Sequence, residues 1–426
     1  MKGLFLKVLK RIKGTQDILP IETPKWSFLE NVIHTQMALF NYKEMRTPTF
    51  EMTDLFARGI GELTDIVSKE MYTFQDRSRK SITLKPEMTA PIMRAYIENN
   101  LNAKAPVNKL FYITSLYRQE NPQAGRLRQF NQYGAELIGS AQPQADVDTI
   151  SLALAIFKAL DLDNLELKIN TVADPQSREP YKKVLQDYLK SHIKNPDTEI
   201  ANRIKSNPLR VLDSKDINLK SIIKSAPKLI DHLNEVSSAH YETVKDLLHQ
   251  LDIKFKEDPT LVRGLDYYTH TVYEITNSGL GAQNALCGGG RYDLLAEQIS
   301  GTAIPAVGFA AGMERILMVL EKQDKALYKE EKPDAFIVTL GEQAKNKASF
   351  WLQNLRLAKL KAETDLLDRS IKAQFREANR QQVKFVLVLG DNELSKQVFS
   401  VKNMTSGEQK DIPFNKIVNF LTNQPA

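Results

Sequence analysis

The 426 residues predict an α/β chain in two parts, and three observations carry that prediction. Two aromatic-rich runs, Leu110 to Glu120 and Gln129 to Gly139, flank the polar loop NPQAGRLR and read as an antiparallel hairpin with a long basic tip. A Lys-rich stretch from about Asp174 to Pro259, poor in aromatics, reads as an inserted helical module. Past a charged linker, Glu321 to Asp334, the near-continuous apolar runs AFIVTLG and VKFVLVLG alternate with helical segments. That alternation predicts a small α/β domain with a largely parallel buried sheet.

Taken in order, Met1 to Leu9 is basic but lacks a sustained apolar stretch and a small-residue cleavage site. It is expected as a frayed extension rather than a secretory signal. Thr23 to Phe40 sets Trp26, Leu29, Ile33, Met37 and Phe40 near helical spacing. Met45 to Phe50 is extended in character, and Pro48 marks a strand edge or bend. A helix-rich passage to about Asn100 follows, broken at KPEMTAP. After the insertion, Gly-rich strand-like chemistry resumes at Leu261 and ends in a helix from Met313 to Lys322. In the second part, helices are expected at roughly Gln343 to Leu360 and Ser370 to Arg380.

Composition, 42% apolar and 26% charged, is that of a globular protein. No apolar run approaches the roughly 20 residues that span a bilayer, so no membrane association is expected. Cys287 is the only cysteine, which rules out an internal disulfide and fits a reducing, cytoplasmic setting. The six histidines show no HExxH or other ligand spacing, and no structural metal is expected. The net charge of +6 suits a polyanion such as nucleic acid without identifying one.

With no Gly-Lys dipeptide there is no P-loop, and neither GLGAQ nor CGGGRYD opens a helix as a dinucleotide fingerprint requires. In the hairpin, Phe130, Gln132, Gly134 and Glu136 share one face by period-2 alternation, as do Arg118 and Glu120 on the first strand. Whether the two faces coincide depends on loop register. If they do, the surface is a polar-ligand floor; the alternative is an exposed face with cross-strand ion pairs. RGLDYYTHTVYE sets Arg263 and Asp266 beside a tyrosine pair in a strand-prone stretch. A guanidinium fork suits phosphate, and a phenol offers an apolar wall with one hydroxyl. The alternative there is a half-buried strand with an Arg–Asp pair. CGGGRYDLL is a backbone open to close approach, or simply a turn, and GFAAGMERILMVL is a small-residue strand running into an apolar helix.

In this order the segments resemble class II aminoacyl-tRNA synthetases, and specifically the histidyl-tRNA synthetase family. KGTQDILP (Lys13 to Pro20) and IGELTDIVSKEMYTF (Ile60 to Phe74) resemble its N-terminal signatures, and RTPTFE resembles the dimer-interface motif 1. YRQENPQAGRLRQF is similar to motif 2, VGFAAGMERI to motif 3, and RGLDYYTHTVYE and CGGGRYD to the two histidine-specific signatures. SIKAQFREANR and VKNMTSGEQ are similar to the anticodon-binding domain. The resemblance implies an α/β chain whose α+β catalytic domain, residues 1–325, is a mainly antiparallel sheet flanked by helices. It implies a helical insertion at about 174–259 and a C-terminal α/β anticodon-binding domain at 333–426.

It also implies a reaction: L-histidine is activated by ATP to histidyl-adenylate and passed to histidine tRNA, by a cytoplasmic homodimer, with Mg2+ on the ATP phosphates. Arg118 and Arg263 match the arginines that reach the α-phosphate from opposite sides, and Glu120 belongs with the ATP contacts. Phe130 and Arg315 match the pair that sandwiches adenine. Glu87 and Thr89 match the residues for the substrate's α-amino group, with Met88 contributing backbone. Gln132, Glu136, Tyr267 and Tyr268 match the imidazole pocket, and Gln123 and Arg126 lie where the family contacts the tRNA acceptor end. Asn121 and Ala124 stand where bacterial members commonly carry basic residues, which implies less dependence on the extra 5′ guanosine of histidine tRNA. Met88 and Gly288 replace a frequent Gly and a frequent Ala. A silent histidine-sensing relative would lack the anticodon-binding domain, and an RNA-binding module would not need the three ATP-contacting arginines. A synthetase for another amino acid would not need Glu136 and the tyrosine pair.

Overall fold

In the computed structural model the described residues are 9–61, 64–123, 125–214, 216–323 and 332–423, with the side chains of 281–283 left aside. Most of the expected N-terminal extension, part of the signature after Ile60, Ala124 and most of the charged linker lie outside them. The chain divides into two compact units, Met1–Tyr328 and Lys329–Ala426. Among the described residues no helix is long and apolar enough to cross a membrane.

The first unit carries, in chain order, β1 (Lys43–Glu44), β2 (Phe50–Met52), β3 (Tyr72–Gln75), β4 (Ser81–Leu84), β5 (Asn108–Tyr117) and β6 (Gln129–Ile138). Then come β7 (Leu165–Thr171), β8 (Lys256–Glu257), β9 (Thr269–Asn277), β10 (Ala285–Arg291) and β11 (Ala306–Gly312). Eight of them form one sheet in the order β1-β5-β6-β11-β10-β9-β7-β8. It is antiparallel except at its edges, where β1 pairs with β5 and β8 with β7 in parallel.

Alternation along the strands gives the sheet two different faces. Phe111, Tyr133, Ala135, Val307 and Phe309 join one core with the helices Thr23–Leu39, Pro143–Ala159, Glu235–Gln250 and Met313–Lys322. The first of these buries Trp26, Leu29, Ile33 and Met37, as their spacing predicts. Tyr112, Leu116, Ile138 and Val272 face the other way, into a core shared with the helices Thr89–Glu98 and Pro175–His192.

The helix-rich expectation before Asn100 needs correction. β2, β4 and β3 form a small antiparallel sheet there. Asp76 accepts hydrogen bonds from the backbone of Ser78 and Lys80, each 2.8 Å, and Arg79 takes a φ of 61°. This Asx-type turn joins strands of four residues, too short to display alternation. Segment 174–259 is helical as expected, with helices at Pro175–His192, Thr198–Ser206, Lys220–Lys224 and Glu235–Gln250. Asp174, Asp197 and Asn234 cap three of them through side-chain oxygens.

The second unit holds β12 (Ala335–Thr339), β13 (Ala362–Thr364), β14 (Phe385–Leu389), β15 (Val398–Asn403) and β16 (Gln409–Pro413), ordered β13-β12-β14-β15-β16. Its helices include Glu342–Leu357 and Ile371–Arg380, close to expectation. The sheet is less parallel than predicted: β12 pairs in parallel with β13 and β14, but β14–β15 and β15–β16 are antiparallel. VKNMTSGEQ closes that last pair as a tight hairpin, with Gly407 at φ +76°. Such a connection is too short for the crossover a parallel pair needs.

Candidate active site

The hairpin register answers the question left by its loop. Leu116 stands opposite Phe130, Thr114 opposite Gln132 and Leu110 opposite Glu136, so the two even-numbered faces coincide. On β11 the positions beside them are Gly308, Ala310 and Gly312, and on β10 they are Gly288 and Gly290. A column of residues with little or no side chain thus crosses the sheet. A Cβ on Gly308 would lie 1.8 Å from Glu136 Oε2, and one on Gly288 would lie 1.9 Å from Arg263 Nη2. The small residues leave a trough into which the neighbouring charged side chains fold. Above it lies a cavity of about 750 Å3.

Glu136 is fully buried and accepts hydrogen bonds from Thr89 Oγ1 (3.0 Å) and from the Tyr292 hydroxyl. Burial pushes its carboxyl up to about 8, against the pull of those two hydroxyls. Glu87, also buried, accepts the backbone N–H of Thr89 (2.8 Å) and Ala90 (3.0 Å) at the start of the helix Thr89–Glu98. Burial raises it to about 7, with those N–H groups and Arg118 opposing. Tyr267 packs at 4.8 Å from Tyr268 and 5.5 Å from Tyr292 between ring centroids. Tyr112 points its buried hydroxyl over Gly134 and finds no hydrogen-bond partner there. A carboxyl beside several phenols can satisfy both nitrogens of an imidazole.

The same cavity is lined by four arginines, Arg118, Arg126, Arg263 and Arg315. Arg118 is steadied by the Pro86 carbonyl (2.9 Å) and lies 5.3 Å over the Phe130 ring. Arg263 is paired with Glu274 at 2.9 Å, and its Nε is buried without a partner. Arg315 donates to the carbonyls of Gly125 (3.1 Å) and Ala285 (2.8 Å). Glu120 meets Arg126 at 3.4 Å. Gln123 and Arg126 exchange backbone hydrogen bonds that close the hairpin tip, with Gly125 at φ +71°.

Of the residues singled out in the sequence, Glu87, Met88, Thr89, Arg118, Glu120, Arg126, Phe130, Gln132, Arg263, Tyr267, Tyr268 and Arg315 all line this cavity. Met88 is otherwise a core residue, its sulfur 3.4 Å from the Thr47 hydroxyl. Two readings change. Arg263 and the tyrosine pair sit on a loop, since β9 begins only at Thr269. The ion pair of Arg263 is with Glu274, while Asp266 pairs with Arg210. Sequence reasoning missed Tyr112, Glu274 and Tyr292. Tyr292 was visible as the last aromatic of CGGGRYD, whereas Tyr112 and Glu274 needed the strand register.

An antiparallel sheet with this trough and this hairpin defines a class II aminoacyl-tRNA synthetase. The family model described as histidyl-tRNA synthetase matches residues 14–316, and that of an anticodon binding domain matches 334–424. Histidine–tRNA ligase of a Geobacillus species is 44% identical over 413 residues, 96% of this chain and 97% of the relative. That of Chloroherpeton thalassium is 47% identical over 406 residues, 94% and 95% of the two chains. The crystal structure of apo histidyl-tRNA synthetase from Staphylococcus aureus superposes with a TM-score of 0.82 at 40% identity, covering 98% of this chain and 100% of that one. The chain belongs to the histidyl-tRNA synthetase family.

Proposed function

We propose that this cavity performs the family's two-step reaction, ATP-dependent attachment of L-histidine to its tRNA, with the following division of labour. A carboxylate oxygen of histidine attacks the α-phosphorus of ATP, the bond to pyrophosphate breaks, and histidyl-adenylate forms. A hydroxyl of the tRNA 3′-terminal ribose then attacks the carbonyl carbon and AMP leaves. The first nucleophile is already ionised, so catalysis rests on alignment and on stabilising charge at phosphorus.

Arg118 and Arg263 hold the α-phosphate. The support is the unpartnered Nε of Arg263 in the wall of the cavity. Phe130 and Arg315 enclose adenine, and Glu120 contributes to the ATP site. Glu87 and Thr89 take the α-amino group with the backbone of Met88. Glu136, Gln132, Tyr267 and Tyr268 take the imidazole, and Gln123 and Arg126 meet the acceptor end of the tRNA. A ring without nitrogens would leave buried polar groups unpaired, which supports discrimination of roughly 10⁴ or more. Mg2+ would arrive on the ATP phosphates; Glu120 and Glu274, carboxylates lining the cavity, are hard oxygen donors of the kind it accepts. The working form is a cytoplasmic homodimer. The exposed apolar side chains Phe50, Met52 and Phe74 of the small sheet, beside the motif 1 segment, favour a protein partner there.

One observation carries the reading: Thr89 and Tyr292, the hydroxyl partners of buried Glu136, line the same cavity as the arginines, while Glu136 itself lies just behind that wall. Histidine-dependent ATP–pyrophosphate exchange tests it. Histidine alone among the amino acids should support exchange, and failure to do so would overturn the assignment.

A further inference from the structure

We propose that the helical segment 174–259 is a positioning element for the histidine pocket. Arg178, Asn207 and Arg210 hold the loop Arg263–Tyr268 in shape and thereby set the affinity for the amino acid. The proposal rests on the reading of Tyr267 and Tyr268 as walls of that pocket.

The loop precedes β9 and has no ladder of its own, so its backbone groups need partners from elsewhere. The helical segment supplies them. Arg178, in the helix Pro175–His192, donates through Nη1 to the carbonyl of Tyr268. Arg210, in the turn Pro208–Val211, donates through Nη2 to the carbonyl of Gly264 (3.1 Å) and to Asp266 Oδ1 (3.0 Å). Asn207 donates to the same oxygen at 2.9 Å. Asp266 N–H in turn donates to the Ile60 carbonyl at 3.2 Å. Positions 264, 266 and 268 are therefore each anchored, and Tyr267 lies between two anchors.

Packing tells the same story. Tyr267 and Tyr268 belong to one continuous apolar cluster with Tyr181, Leu185 and Leu209 of the helical segment. Arg178, Asn207 and Arg210 are absent from the residues lining the cavity, so they act through the loop rather than on substrate. Displacing a positioned ring by about 1 Å is enough to weaken a site by one or two orders of magnitude.

The test is ATP–pyrophosphate exchange on the full chain carrying Arg178→Ala, Asn207→Ala or Arg210→Ala. Histidine KM should rise about tenfold or more for Arg210→Ala while ATP KM moves less than about threefold. Because Arg210 and Asp266 act as one unit, Asp266→Ala should remove most of the further effect of Arg210→Ala. A purely structural role would raise both KM values together and add across the pair; that result, or an unchanged histidine KM, overturns the proposal. Asn207→Ala deletes a single hydrogen bond and decides the matter if the arginine variants fold poorly. Tyr267→Phe and Tyr268→Phe separate the two readings. If they raise histidine KM and the anchor variants do not, only the positioning role fails; if they too leave it unchanged, the pocket assignment fails first.

Discussion

Arg263 lies along β10 because Gly288 has no side chain, and its guanidinium pairs with Glu274 while Nε is buried without a partner. Arg263→Ala should lower adenylation on the order of 10²–10³-fold with the fold intact, since it removes a preorganised donor at developing charge. Single-turnover adenylate formation measures this, and near-normal rates would remove Arg263 from its role. Glu136 makes a pH prediction whose sign is set by burial. Its carboxyl is pushed up from an ordinary 4.5 to about 8, so between those values the folded protein holds a proton that the unfolded chain has released. Stability of the ligand-free protein should therefore fall as pH rises from about 5 to 8. Glu87 acts in the same direction. Glu136→Gln should flatten the dependence of Tm on pH in that window and raise histidine KM far more than ATP KM. A different residue governs stability: Arg291 is fully buried against Asp146 and also meets Asp293 at 3.1 Å. Arg291→Ala leaves buried Asp146 with only the His240 ring, at 3.4 Å, and should cost about 3–5 kcal/mol, read by urea unfolding.

At the scale of elements, the trough is a property of β6, β10 and β11 together. Gly308 is its tightest point, where a Cβ would meet Glu136 Oε2 and, at 2.5 Å, the Ala135 carbonyl. The carbonyl belongs to the paired strand and has little room to retreat. Gly308→Ala should cost about 1–3 kcal/mol and abolish measurable histidine binding by calorimetry, and retained binding would show that the trough is wider than its glycines imply. The motif 2 hairpin carries a separate expectation through Asn121 and Ala124. Charging of transcripts with and without the extra 5′ guanosine should differ little, and a large loss without it would refute the idea. The hairpin, the helix Thr23–Leu39 and the alternation after Ala335 were legible because each repeats its own period over enough residues. The small sheet of β2, β3 and β4 was not, because its strands are only three or four residues long.

For the whole molecule, each unit has cores of its own: one pair of clusters lies wholly within residues 335–421, separate from those around the trough. Residue types and order in the sequence alone determined the two-part α/β organisation, the helical character of the inserted segment and the family, and with the family the candidate residues that the site proposal uses. Local periodicity and unbroken motifs survive without any knowledge of contacts. Only the tertiary structure decided that the two hairpin faces coincide, that Arg263 pairs with Glu274, that Tyr292 reaches Glu136, and that Arg178 and Arg210 grip the loop Arg263–Tyr268. Tyr292 and Glu136 stand 156 residues apart, and Arg178 and Tyr268 stand 90 apart. Contacts of that span follow from strand register and from how the helical segment packs, and neither leaves a periodic trace in the order of the residues.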